Sequence, residues 1–126
     1  MPRTRKDEAP LLVDDPQIQG RYVELGETTV SYETFPQDVD PAPFYRGLPD
    51  DRCPCPHWGV VVSGRLVMRF PDREETYRAG DAYWIPPGHL PLVFAGAEVV
   101  EFSPTDQLRA TMAVVGANIT AAEPVR

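Results

Sequence analysis

The sequence predicts an all-β domain, a sandwich or a closed barrel, and three observations support this fold class. Proline accounts for 15 of the 126 residues, against roughly 5% in average proteins, and proline inside a helix removes a hydrogen bond and breaks the helix. Turn signals recur about every eight to twelve residues, as in sandwiches and barrels. Between these turns, apolar and polar residues alternate, as in Arg65–Phe70. A helical bundle is therefore excluded.

The chain fits one domain preceded by an arm. Its hydrophobic share of 42% and charged share of 25% are those of an ordinary soluble protein, which excludes disorder along its whole length. Residues 1–19 mix charges with prolines, and their only apolar cluster is Leu11–Val13. We expect a flexible N-terminal arm over 1–19 and a single domain over 20–126, with regular structure beginning near Gly20.

The strands and the helix follow in order from local patterns. Alternation over Thr28–Phe35 predicts a half-buried strand, and the proline-rich segment 36–56 predicts a long loop of the kind that is usually functional. A meander follows, with predicted strands at 57–62, 65–70, 74–78, 82–86, 91–94 and 97–102. Ser103 followed by Pro104 predicts the start of a short C-terminal helix, which Gly116 either closes or interrupts.

The charge excludes several classes of partner. The net charge is -7, with 19 acidic and 12 basic residues, so no basic surface is available for nucleic acid. No apolar run approaches the roughly 20 residues that span a bilayer. The basic N-terminus has no apolar core behind it, so it is not a signal peptide. We expect a cytoplasmic protein without membrane contact, in which the cysteines stay reduced.

Two glycine-centred motifs resemble those of the cupins. Gly80–His89 looks like the second cupin motif, and Val60–Gly64 followed by Arg65–Met68 looks like the end of the first. The resemblance covers about residues 50–105. It implies a double-stranded β-helix, or jelly-roll barrel, whose mouth holds a metal or a small ligand.

The usual cupin metal ligands are not at their places in this chain. Cupins typically bring a His-x-His pair, a glutamate and a final histidine. Counted from the motif glycines, these four positions hold other residues: Asp51, Cys53, His57 and Pro91. His89 stands two places before the last position. The resemblance therefore implies the barrel but not the standard metal centre.

The residues themselves suggest a different centre. Both cysteines and both histidines of the chain lie in the two motif regions. In an extended segment Cys53, Cys55 and His57 would share one face, and His89 would approach from across the cavity. Thiolate and imidazole ligands suit Zn, Fe or Cu. The alternatives are simple burial of the thiols and a strained Cys53–Cys55 disulfide.

The number of ligands decides the expected function. Three ligands leave an open position and predict a metal-dependent enzyme that acts on a small organic molecule in the barrel mouth. Four ligands, or no metal, predict a non-catalytic binding or accessory protein. We expect a homodimer in either case. Of the neighbouring candidates, either Tyr83 or Trp84 should face the interior, and Glu101 is expected as an exposed strand carboxylate, with a lumen-facing acid, base or ligand as the alternative.

Overall fold

The structure, a computed structural model, describes residues 3–122, and the strands there form two antiparallel sheets. The elements are β1 Leu11–Asp15, β2 Ile18–Leu25, β3 Thr28–Phe35, β4 His57–Ser63, β5 Arg65–Arg69, β6 Glu74–Arg78, β7 Ala82–Ile85, β8 Leu90–Val93, β9 Ala97–Pro104 and α1 Thr105–Ala122. One sheet has the order β1-β2-β3-β9-β4-β7 and the other β6-β5-β8. The predicted all-β jelly-roll architecture is confirmed.

The core lies between the two sheets. β4 shows why: its residues alternate between buried and exposed along the strand, so one face points inward. The apolar side chains that meet in the interior come from four strands and one turn: Val61, Leu66, Met68, Phe70, Tyr83, Ile85 and Val99. This cluster fills part of the barrel and leaves the region around the first residue of β4 to polar side chains.

Regular structure begins earlier than the sequence predicts. Within the 1–19 segment expected as an arm, residues 11–15 form β1, which pairs with β2. The turn between them is closed by the carboxylate of Asp15, which accepts a hydrogen bond from the backbone N–H of Gln17 at 2.9 Å. A start near Gly20 is therefore wrong, because Asp15 makes a hairpin from a segment whose charges and prolines suggested a loose chain. The division into arm and domain stays a prediction.

The C-terminal helix is longer than predicted and begins later. α1 starts at Thr105 and runs through Gly116, whereas Ser103 belongs to β9. β9 stays paired with β3 as far as Pro104, and the backbone N–H of Thr105 donates to the carbonyl of Glu27 at 3.0 Å. Strand pairing thus keeps Ser103 out of the N-cap position predicted for it.

The loop over 36–56 is held in place by α1. Its 3-10 turn at Ala42–Tyr45 packs against the helix. The side-chain amide of Asn118 donates to the carbonyls of Phe44 at 2.7 Å and Arg46 at 2.8 Å. The loop and the helix together cover the end of the barrel at which β4 begins. Among the described helices, none is both long and apolar enough to cross a membrane.

Candidate functional site

Three of the four predicted ligands meet at this end of the barrel. The ligand atoms of Cys53, His57 and His89 all lie within 4.8 Å of one another, and all three residues are buried. We call this group the metal-ligand trio. His57 is the first residue of β4 and faces inward. Cys53 lies beside His89 because the two backbones form an antiparallel bridge, in which the N–H of Cys53 donates to the carbonyl of His89 at 2.9 Å.

A glycine turn carries His89 to this position. Gly88 has a φ of +95°, a conformation that residues with a side chain rarely adopt. Its N–H donates to the carbonyl of Cys53 at 2.8 Å. This second hydrogen bond completes the bridge, so the turn and the loop fix the thiol and the imidazole relative to each other.

Both imidazoles are oriented by a partner on Nδ1. Nδ1 of His89 lies 2.9 Å from the carbonyl of Pro86, which can only accept, so this nitrogen carries the proton. Nδ1 of His57 lies 2.7 Å from the hydroxyl of Ser103, the residue directly opposite on β9. The Nε2 atoms remain for a ligand. Such support of the second ring nitrogen is typical of histidines that bind metal.

Burial keeps both histidines neutral. It lowers the pKa of His57 to about 4, and burial together with the neighbouring His57 lowers the pKa of His89 to about 4. The two rings meet edge to face, with centroids 5.0 Å apart. At neutral pH each ring therefore offers a lone pair, as metal coordination requires.

The two cysteines have different surroundings. Sγ of Cys53 lies 3.7 Å from Nε2 of His57, and burial raises the pKa of this thiol to about 12. Sγ of Cys55 is turned to the carbonyl of Pro56 at 3.5 Å and lies outside the metal-ligand trio. Both are free thiols. A thiolate at Cys53 needs a compensating positive charge, which a bound cation supplies.

Glu101 faces the interior, contrary to the prediction of an exposed carboxylate. Its residue is buried, and the phenol of Tyr83 donates to its Oε1 at 2.9 Å. Tyr83 and Glu101 stand on either side of Gly59, the residue of β4 that pairs with both. A Cβ on Gly59 would lie 2.6 Å from the Tyr83 phenol oxygen. The glycine thus leaves the space through which this hydrogen bond passes.

A second tyrosine reaches a second glutamate in the same way. The phenol of Tyr22 donates to Oε2 of Glu33 at 2.8 Å. Glu33 pairs with Gly20, and a Cβ there would lie 2.2 Å from the Tyr22 phenol oxygen. Two tyrosines, each crossing a glycine, therefore hold two carboxyl groups inside the barrel.

These two carboxyl groups, Glu33 and Glu101, form what we call the carboxyl pair. Ser31 pairs with Glu101 on the adjacent strands, which makes Glu33 the diagonal neighbour of Glu101 on the same face. The charge of Glu101 adds to the rise in the pKa of Glu33. Glu33 keeps some exposed surface, yet protein surrounds its carboxyl group, and burial raises the pKa of both acids. The pair therefore retains a proton near neutral pH.

The stability of the metal-free protein should depend on this proton. Because both acids have raised pKa values in the folded state, these two groups hold more protons in the folded chain than in the unfolded chain above pH 4.5. The free energy of unfolding then falls as the pH rises. Below pH 6.5 the two histidines oppose this trend, since their pKa values are lowered. Between pH 6.5 and about 8 we expect a fall of about 1–2 kcal/mol, measured by urea unfolding with a chelator present.

Two variants isolate the source of this pH dependence. Glu33→Gln removes one of the two acids with a raised pKa and should flatten the fall between pH 6.5 and 8. Glu74→Gln, on the exposed edge strand β6, is the matched control and should leave the fall unchanged. Thiols and phenols near the pair have raised pKa values and titrate above this window: Cys53, Cys55, Tyr22, Tyr45 and Tyr83. An equal fall in Glu33→Gln would contradict the assignment.

The carboxyl pair and the metal-ligand trio lie close together inside the barrel. His57 is hydrogen-bonded to Ser103, and Glu101 lies two residues before Ser103 on the same face of β9. Such diagonal neighbours lie about 7–8 Å apart. Tyr45 in the loop borders both groups: burial raises its pKa, and Cys53, Glu33 and Glu101 add to the rise. The site thus places three candidate metal ligands beside two acids in the interior of the barrel.

Comparisons with known proteins show similarity in fold alone. No protein-family model matches the chain, and no curated protein matches it. Among solved structures, it is similar to an RmlC-like cupin from Shewanella frigidimarina NCIMB 400, with 14% identity, a TM-score of 0.54, and coverage of 80% of this chain and 88% of that chain. KdgF from Halomonas sp. has 15% identity and a TM-score of 0.53, with 79% and 90% coverage. The apo form of HppE has 14% identity and a TM-score of 0.55, with 79% and 56% coverage.

Proposed function

The chain has the cupin fold, and from this premise we propose that it is a metal-dependent enzyme acting on a small organic molecule at the mouth of the barrel. The observation that carries the proposal is the metal-ligand trio, whose three ligand atoms converge within 4.8 Å while partners hold both histidines by Nδ1. The donor set of one thiolate and two neutral imidazoles suits Zn, Fe or Cu. It requires Cys53 as a reduced thiol, the state that the cytoplasm maintains.

Three protein ligands leave one position for water or substrate. When bound, such an ion acts as a Lewis acid toward a substrate oxygen. Neighbouring groups would hold the three ligand side chains in position around the ion. Ser103 and the Pro86 carbonyl set the rotation of the two imidazoles, and the Cys53–His89 bridge sets the position of the thiolate.

The carboxyl pair is the proposed acid and base. Burial raises the pKa of both carboxyl groups, so near neutral pH the pair retains a proton and can present a carboxylic acid beside a carboxylate. Tyr83 and Tyr22 each donate to one carboxyl oxygen and so fix the orientation of the acids. A substrate held between the trio and the pair could take a proton from one carboxyl group and return it to the other.

The charge of the lumen indicates the class of substrate. In the described part of the chain, the buried polar side chains include Glu101 but no lysine or arginine. A carboxylate substrate would therefore meet the acids of the carboxyl pair and would approach a chain of net charge -7. We propose an uncharged or cationic molecule with a carbonyl or hydroxyl oxygen.

A non-catalytic accessory protein with a closed metal site is the second candidate. It would require Cys55 as a fourth ligand, and full burial of this thiol two residues from Cys53 favours that arrangement. The present rotamer favours the open site, because Sγ of Cys55 points at Pro56.

Cobalt substitution distinguishes an open site from a closed one. We expect tag-free protein to purify with about one equivalent of a transition metal, and the Co²⁺ form to show thiolate-to-cobalt absorption with the strong visible bands of a tetrahedral site. Added azide should shift these bands in the wild type, because it enters the open position.

Cys55→Ser is the control. In an open site it leaves the cobalt spectrum and its response to azide unchanged. If azide leaves the cobalt spectrum of the wild type unchanged but shifts that of Cys55→Ser, the site is closed by Cys55. This result would contradict the proposed enzyme function. Failure to bind Zn²⁺, Fe²⁺, Cu²⁺ and Co²⁺ would overturn both candidates.

A further inference from the structure

The outer face of the larger sheet is apolar where β9, β4 and β7 lie side by side. The outward residues of these strands carry no charge over a continuous area, which we call the outer patch: Trp58, Val60, Val62, Ala82, Trp84, Val100 and Phe102. Strand register makes the patch contiguous, since Trp58 pairs with Trp84 on one side and with Phe102 on the other. Trp84 is 56% exposed and Trp58 is 48% exposed.

The outer patch is as large as the largest apolar patch on a typical monomer. A fully exposed aromatic side chain presents about 150–250 Å², so the three rings and two valines at their observed exposures contribute roughly 450 Å². This lies within the roughly 300–600 Å² of the largest patch on a typical monomer, and such patches are often functional. The interior needs none of these side chains, because the core cluster lies on the other face of the strands.

We propose that the outer patch is the interface of a two-fold symmetric homodimer. Dimer interfaces are about 65% apolar, so roughly 450 Å² of apolar surface corresponds to an interface of about 700 Å² per partner. Stable interfaces bury about 1,200–2,000 Å² in total, and a pair of these patches falls in that range. The area is therefore sufficient for a stable dimer.

Charge identifies a second copy as the occupant. Two copies of a chain with a net charge of -7 repel each other over most of their surface. The outer patch has no charged residue, so this is a face on which two copies meet without placing like charges in contact. A two-fold interface also needs a surface that matches itself, and a flat apolar sheet face with an edge strand, β7, meets this condition.

The tryptophans report directly on this interface. The chain has two tryptophans, Trp58 and Trp84, and both belong to the outer patch. We expect sedimentation equilibrium to give twice the monomer mass, and dilution to shift the tryptophan emission to the red with the same midpoint as dissociation. Iodide should quench the emission of the diluted protein more strongly than that of the concentrated protein.

A matched pair of variants locates the contact. Trp84→Glu should weaken dimerisation roughly hundredfold or more, because buried tryptophans dominate interface energies. Leu12→Glu, at an even more exposed apolar residue outside the patch, should leave the dimerisation constant unchanged. Circular dichroism and thermal unfolding establish that each variant is folded, and Trp84→Phe should retain the dimer if Trp84→Glu does not fold.

The outcomes separate the possible occupants. A monomer at all concentrations, or a dimer that Trp84→Glu leaves intact, would overturn the proposal. Dimerisation that Leu12→Glu abolishes, while Trp84→Glu does not, would place the interface on the β1 side instead. Neither result depends on metal content, so the test is independent of the proposed enzyme function.

Discussion

Replacing His57 by alanine is expected to abolish stoichiometric metal binding. His57 provides one of three convergent ligand atoms, and its ring is held by the Ser103 hydroxyl at 2.7 Å. Loss of a residue that merely supports a ligand typically weakens metal binding 10–100-fold, so loss of the ligand itself should weaken it by more than about a hundredfold. Competition with a chelating dye, followed by elemental analysis after gel filtration, measures the affinity.

Three further variants complete this test. Cys53→Ser and His89→Ala should weaken binding to a similar degree, whereas Ser103→Ala should weaken it only about 10–100-fold. Cys55→Ser is the matched control, since its thiol lies outside the metal-ligand trio. Unchanged metal content in His57→Ala, or complete loss in Cys55→Ser, would contradict the assignment of ligands.

Gly59→Ala should destabilise the fold by about 3 kcal/mol or more, the upper range for overpacking a core. A Cβ at this position would lie 2.5 Å from the backbone carbonyl oxygen of Val100 and 2.6 Å from the Tyr83 phenol oxygen. The tyrosine can move, but the carbonyl belongs to β9, which pairs with β4 along the sheet. Urea unfolding at pH 6.5 measures the change in the free energy of unfolding.

Two comparisons identify the cause of the loss. In Gly116→Ala a Cβ meets nothing within 4 Å, and the change should be neutral or stabilise α1 by up to about 1 kcal/mol. Measured in a Tyr83→Ala background, the loss caused by Gly59→Ala should be only partly smaller, because the contact with the Val100 carbonyl remains. A loss below about 1 kcal/mol in Gly59→Ala would show that β4 and β9 separate more easily than the pairing indicates.

The architecture and much of the candidate site are predictable from the sequence. Turn glycines and alternation place β3 through β9 close to their observed bounds, because each strand has one polar and one apolar face or ends at a clear turn. The spacing of Cys53 and His57, with His89 in the second motif, suffices to place these three residues in one cavity. Cys55 shares the spacing of Cys53, but periodicity does not determine the rotamer that turns its thiol to Pro56.

The orientation of β9 is not predictable from its own residues. Val99 and Phe102 lie on opposite faces of the strand, so hydrophobicity does not say which face is inside. The outer patch makes the outside face apolar as well, which is why Glu101 was expected in solvent. The prediction for Ser103 is wrong for a different reason. A serine before a proline is equally compatible with a helix N-cap and with a strand, so the local sequence does not distinguish the two. Only the pairing of β9 with β4 shows that this hydroxyl meets His57.

The hold of Asn118 on the loop has a kinetic consequence. Tyr45 lies on a turn whose two neighbouring carbonyls accept hydrogen bonds from the side-chain amide of Asn118 in α1. This turn can therefore separate from the helix only when both hydrogen bonds break. Entry and escape of small molecules at this end then depend on local opening of the helix and loop, which occurs far more often than global unfolding. The residence time of a molecule bound at the site would then depend on Asn118 as well as on the bridges that tie the loop to Val93 and His89. A change at Asn118 would alter the exchange rate without touching the ligand residues.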